Sequence, residues 1–168
     1  MGIPGKKRKV MGILTDDMKR IVRQQRMGFM ATVCQDGTPN LSPKGTTSVW
    51  DDDHLVFADL GSPTTILNLS ANPAFELNVL DTFVRKGYRF KGTASLITDG
   101  ELFHQIKKCY LTGSRDIHQS SLSTSRYVLL LIKEAVPFIS PAYTSDRTEP
   151  DMRAQWTDYW AAVQSDNT

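Results

Sequence analysis

The sequence predicts an α+β fold in which a six-stranded antiparallel barrel carries flanking helices. Short runs of alternating apolar and polar residues recur between turn dipeptides, which is the strand signature. Helical segments interrupt these runs at irregular places, without the regular strand-helix alternation of a doubly wound sheet. The chain has 168 residues, 40% of them hydrophobic, enough to bury one core.

The first helix starts at Thr15, which can cap it, and Asp16 and Asp17 suit its positive first turn. Met18, Ile21 and Val22 share one face, and Gly28 marks the stop. Phe29, Ala31 and Val33 then alternate with Met30, Thr32 and Cys34, and Asp36-Gly37 turns the chain into a second strand running from Leu41 to about Val49. The acidic turn Asp51-Asp52-Asp53 leads to a third strand, Leu55 to Ala58. Ser62-Pro63 opens a helix that Asn72-Pro73 closes. Phe75, Leu77 and Val79 mark the fourth strand. In the fifth, Tyr88, Phe90, Gly92, Ala94 and Leu96 face one way and Arg89, Lys91 and Thr93 the other, as in a closed or nearly closed barrel. Leu102 to Gly113 reads as a helix, Ser114 to Ser125 as a loop, Tyr127 to Ala135 as a sixth, central strand, and Ala154 to Val163 as a terminal helix.

The longest strongly apolar stretch, Tyr127 to Ile132, is far too short for a membrane helix, so no membrane association is expected. Cys34 and Cys109 share no metal-binding or redox spacing, which points to a reducing, cytoplasmic setting. Lys6 to Lys9 hold four of the cationic residues, leaving residues 11–168 with a formal charge of −2. A mildly acidic domain argues against nucleic-acid binding by the fold itself. Residues 1–10 read as a basic leader outside the domain, an appended nuclear-import signal in KKRKV that would direct the chain to the nucleus in a eukaryotic cell; residues 11–168 form the domain.

His54, His104 and His118 lack metal-ligand spacing and read as ordinary histidines, and Asp51 to Asp53 as a solvated turn, so no metal site is expected. Neither a nucleophile elbow nor a phosphate loop is present. Three strings remain. NLSPKGT (40–46) sets Ser42, Lys44 and Thr46 on one side of a strand; LGSPTT (60–65) opens a helix with hydroxyls and free backbone N–H groups, the geometry that receives phosphate; VRKGYRFKGTA (84–94) concentrates Arg85, Lys86, Arg89 and Lys91.

In this order the three strings resemble the FMN-binding split-barrel family related to pyridoxamine 5'-phosphate oxidase. The likeness runs roughly from Leu14 to Trp160 and includes ISPAY at 139–143. The resemblance implies a six-stranded antiparallel split β-barrel and a homodimer with two FMN molecules between the subunits. It places Ser42, Pro43, Lys44 and Gly45, with Thr46 after them, beside the isoalloxazine ring, and Ser62, Thr64 and Thr65 at the phosphate. Arg89 matches the basic residue that the oxidases write as Q-V-R-V-x-G. The oxidases' phosphate-binding S-R-K is Pro63-Thr64-Thr65 here, so positive charge must come from Lys44, Arg85, Lys86 or Arg89. Their terminal W-R-L-x-P has no counterpart in RAQWTDYWAAVQ, which speaks against pyridoxamine phosphate as the substrate. The implied function is an FMN-dependent oxidoreductase moving two electrons through the flavin, its substrate unassigned and no residue assigned as acid or base. The alternative is a non-catalytic electron carrier holding flavin, haem or a deazaflavin-type cofactor on the same barrel.

Overall fold

The computed structural model describes residues 12–117 and 124–165. The leader, with its proposed import signal, and His118 lie outside the described residues, as does much of the Ser114 to Ser125 segment. Helix α1 (Asp16–Gln25) is capped by Thr15, whose Oγ1 accepts from Met18 N, and it buries Met18, Ile21 and Val22. Strands β1 (Gly28–Val33) and β2 (Pro39–Lys44) form the expected hairpin across Gly37, whose φ of 83° only glycine adopts freely. Then follow β3 (Ser48–Val49), β4 (His54–Ala58), α2 (Pro63–Ala71), β5 (Ala74–Asp81), β6 (Lys86–Ile97), α3 (Gly100–Thr112), β7 (Tyr127–Ile139) and α4 (Glu149–Ser165).

The strands form one antiparallel sheet of seven in the order β2-β1-β5-β6-β7-β4-β3. The count exceeds the expected six because the run from Leu41 to Val49 breaks at Gly45-Thr46-Thr47. Thr47 donates from both N and Oγ1 to the carbonyl of Lys44, and Thr46 Oγ1 bonds both N and O of Ala58, so the hydroxyls bend the chain away from the ladder. The two halves become opposite edges of the sheet. Since four residue steps span at most about 14 Å, the sheet must curl until its edges meet. No backbone pairing joins β2 to β3, and the barrel is split along that seam.

Cross-strand partners share a face. Inside, Met30, Leu77, Val79 and Phe90 pack with Leu55, Phe57, Leu130 and the apolar sides of α1 and α2. Outside, Pro43, Phe29, Asn78, Arg89 and Val136 form one row across five strands. On the far side of β4 and β7, α3 contributes Ile106, Cys109 and Tyr110 to a second cluster. Tyr110 Oη reaches in to donate to Thr46 O (2.7 Å), and burial pushes its phenol pKa up.

Two elements near the end of the chain are longer than expected. Helix α4 starts at Glu149 because Asp151 Oδ2 accepts from both N and Oγ1 of Thr148 just before it, while β7 runs on to Ile139 by pairing with β6 as far as Lys86. The start of α4 is tied to the β5-β6 turn by Arg153 on Asp81 (3.0 Å) and Lys86 on Glu149 (3.2 Å).

Lys91 pairs with Glu134 and Gly92 with Ile132, so β7 carries one extra residue, Lys133, as a bulge. A Cβ on Gly92 would stand 1.8 Å from Leu131 O, a collision with backbone. Gly92→Ala is therefore expected to destabilise the chain by about 1–3 kcal/mol, read as a lower urea midpoint with an unchanged slope.

Candidate functional site

The inner side of β2 meets the start of α2 across the seam. Asn40, Ser42 and Lys44 alternate inward from β2, and Thr32 faces in from β1. Helix α2 contributes Thr65 and Asn68, a polar stripe beside the core-facing Ile66 and Leu69. The groups form one network. Asn40 Nδ2 donates to Thr32 Oγ1 (3.1 Å) and Thr65 Oγ1 (3.4 Å), Ser42 Oγ lies 3.1 Å from Thr65 Oγ1, and Asn68 Nδ2 donates to Thr32 Oγ1 (3.0 Å) and Cys34 Sγ (3.4 Å).

Lys44 stands at the centre, only 4% exposed. Its ammonium donates to Ser42 Oγ, to Pro43 O (3.3 Å) and to Ser62 Oγ (3.2 Å), and lies 5.7 Å from the centroid of the Phe57 ring. All three acceptors are neutral. Among the described residues no carboxylate forms an ion pair with it. Asp59 acts on it at longer range, but that carboxylate accepts from Gly61 N (3.3 Å) and Ser62 N (3.0 Å) and pairs with Arg126 (3.4 Å). Burial lowers the Lys44 pKa below its usual value, and Asp59 offsets part of that.

Ser62 precedes α2 without capping it, because its hydroxyl is turned to Lys44. Pro63 brings no N–H, and the first-turn amides of Thr64 and Thr65 have no intrahelical acceptor. A buried cation, three hydroxyls and a positive helix end thus converge. The arrangement suits an anion with several acceptor oxygens.

The structure brings Ser42, Lys44, Ser62 and Thr65 together. Thr64 is exposed on the first turn of α2, Gly45 is exposed in the link, and Thr46 is spent on Ala58. Pro43 faces outward opposite Phe29. Arg89 also faces outward, paired with Glu76 (2.9 Å), so within one chain it and Lys44 lie on opposite sides of the sheet. Arg85 stacks 3.5 Å over Trp156 of α4, and Lys86 holds Glu149 and covers Tyr143. Sequence reasoning missed Thr32, Asn40, Asp59 and Asn68. Asn40 could have been found, since it continues the inward alternation of Ser42 and Lys44; Thr65 and Asn68 share the i, i+3 spacing of one helix face.

Linkage fixes two opposite pH trends. Because the folded chain binds the Lys44 proton less tightly than the unfolded chain, stability gained from its loss grows as pH rises through the window just below 10.5. Over that same window the site loses its cation. Inorganic phosphate should therefore bind less tightly as the pH approaches about 10, while the apo chain does not lose stability on this account. Lys44→Met should weaken phosphate binding about tenfold or more at neutral pH, measured by calorimetry, and abolish both trends while the apo chain melts no earlier.

Among the described residues no group of three His, Cys, Asp or Glu side chains is placed to hold a metal, and no helix is long and apolar enough to cross a membrane. Structural comparison finds the same split barrel elsewhere. HupZ of Group A Streptococcus is 26% identical, covering 79% of this chain and all of its own, with a TM-score of 0.65. An FMN-binding protein from Syntrophomonas wolfei subsp. wolfei is 19% identical over 74% of this chain and 85% of its own, at a TM-score of 0.60. An F420 reductase is 18% identical over 73% and 98%, at a TM-score of 0.53. No curated protein sequence matches the chain. The family model described as pyridoxamine 5'-phosphate oxidase matches residues 14–138, from the residue before the cap of α1 to the last residue but one of β7, and on that match the chain belongs to the pyridoxamine 5'-phosphate oxidase family.

Proposed function

We propose that the chain binds FMN as a homodimer and works as a flavin-dependent oxidoreductase of this family, with its substrate unassigned. The observation that carries the reading is Lys44, a buried cation held only by neutral oxygens beside a helix start. A phosphate monoester supplies the counter-charge that this site lacks. Ser42, Ser62 and Thr65 add hydroxyls, Thr64 adds its backbone N–H, and Pro43, Gly45 and Thr46 border the approach to the ring. The FMN-binding neighbour and the F420 reductase use the same barrel, which supports a flavin. When bound, the flavin supplies two-electron transfer through its N5, and the protein supplies position and charge.

Charge also argues for two copies. A phosphate carries about −1.5 to −2 at neutral pH, and Lys44 offers a single positive charge. Helix α2 has no charged residue, and Arg85 and Lys86 are committed to α4. Arg89 is half-exposed on the outer face, where Phe29, Val33 and Leu41 are 45%, 45% and 65% exposed. Covering that face with a second copy buries those side chains and lets Arg89 of one chain serve the cofactor held by Lys44 of the other. The reduced flavin's negative charge near N1 is then met by a cation from across the dimer.

The test uses two variants. Lys44→Met and Arg89→Ala homodimers should each lose FMN, whereas the isolated Lys44→Met/Arg89→Ala heterodimer, with one intact site, should hold one FMN per two chains. A wild-type chain whose spectrum shows haem, or no flavin after incubation with FMN, sinks the cofactor reading. A monomer that binds FMN tightly, or an empty heterodimer, sinks the shared site.

A further inference from the structure

The chain enters the Lys44 site through the segment from Asp59 to Ser62, which runs from β4 into α2. Asp59 is bonded at all of its polar groups. Its backbone N donates to Arg126 O (3.1 Å), and its backbone O accepts from Thr124 Oγ1 (2.6 Å), so the residue is pinned to the stretch that leads into β7. Its carboxylate Oδ1 accepts from Gly61 N (3.3 Å) and Ser62 N (3.0 Å), and Oδ2 from Arg126 Nη1 (3.4 Å). An aspartate that bonds the amides two and three residues on sets the path of the turn after it. The side chain is 13% exposed, so water competes little for these bonds.

This arrangement accounts for the free hydroxyl of Ser62. A serine before a helix ordinarily spends its side-chain oxygen on the amides of the first turn. Ser62 makes no such bond, and its Oγ accepts from Lys44 Nζ (3.2 Å) instead. Asp59 reaches Lys44 in three links, from carboxylate to Ser62 N, through Ser62 to its hydroxyl, and from the hydroxyl to the ammonium.

We propose that Asp59 is a positioning residue of the Lys44 site, placing the Ser62 hydroxyl and the start of α2 for an anion that Lys44 binds. The inference rests on the reading of Lys44 as an anion site, but not on that anion belonging to a flavin. Position is what the carboxylate contributes, since its own charge opposes an incoming anion. It also leaves an electrostatic signature. Ser42 and Pro43 of β2, Ser62 before α2 and the Phe57 ring of β4 surround the ammonium, and none of them titrates. Asp59, with Arg126 bonded to it, lies outside that shell; burial lowers the Lys44 pKa, and the Asp59 charge offsets part of the loss.

Asp59→Asn and Asp59→Ala remove the same charge and differ in whether an acceptor remains for Gly61 N and Ser62 N. Inorganic phosphate, titrated into the full chain at neutral pH by calorimetry, should bind about tenfold more tightly to Asp59→Asn than to Asp59→Ala. With Ser62→Ala added to both, the ratio should shrink to about twofold or less, because the hydroxyl being placed is gone. A pH series separates this role from a purely structural one. Phosphate binding by Asp59→Asn should fall off at a lower pH than in the wild-type chain, since Lys44 without the carboxylate loses its proton sooner. Equal binding by the two variants, a ratio that Ser62→Ala leaves unchanged, or coincident pH profiles for wild type and Asp59→Asn would each overturn the proposal and leave the anion site standing. A wild-type chain that binds no phosphate overturns both. If Asp59→Ala does not fold, the pH profile of Asp59→Asn decides alone.

Discussion

The architecture rests on a short tether. Gly45, Thr46 and Thr47 join β2 to β3, which are opposite edges of one seven-stranded sheet. A link of that length cannot cross an open sheet, so curling is imposed by covalent connectivity as much as by burial. The tether is then held in place from two directions. Thr46 bonds both the N and O of Ala58, and Tyr110 reaches Thr46 O from α3. Removing the core's apolar pressure would loosen the barrel, but removing these contacts would free the closure itself.

A seam closed without strand pairing must satisfy its polar groups in another way. Asn40, Ser42, Thr32, Thr65 and Asn68 satisfy one another's side-chain groups beside it, Lys44 donates to the backbone O of Pro43, and α2 lies over them. That is why the candidate site sits here and not elsewhere on the barrel. The same split that leaves ladder hydrogen bonds unmade leaves room for hydroxyls, an amine and the end of a helix. Lys44 is tolerated at such depth because neutral oxygens surround it, and the cost of its burial shows in its lowered pKa.

Much of this was legible in the order of residues. Thr15, Gly28, Asp36-Gly37 and Ser62-Pro63 mark element ends through local chemistry alone, and each stands where the structure turns. The inward set Phe75, Leu77 and Val79 is buried as its period required. What escaped depended on distant partners. The break at residues 45–47 needs Ala58 and Tyr110, which no local window contains. The outward side of Arg89 follows from alternation, but its opposition to Lys44 depends on how β2 and β6 register through β1 and β5. Helix α4 gains its first turn from Thr148 and Asp151, a pairing visible in sequence but hidden behind the stronger aromatic pattern of Trp156, Tyr159 and Trp160.

Strand β2 is an edge, yet two of its six residues, Pro39 and Pro43, have no N–H to give. An edge so depleted of donors is a poor template for another strand. Phe29, Val33, Leu41 and Val136 put exposed apolar side chains on the sheet's face, while its site-bearing edge resists extension. In the homodimer proposed above, copies of the chain would meet face to face in a closed pair without inviting the strand-by-strand growth that builds fibres.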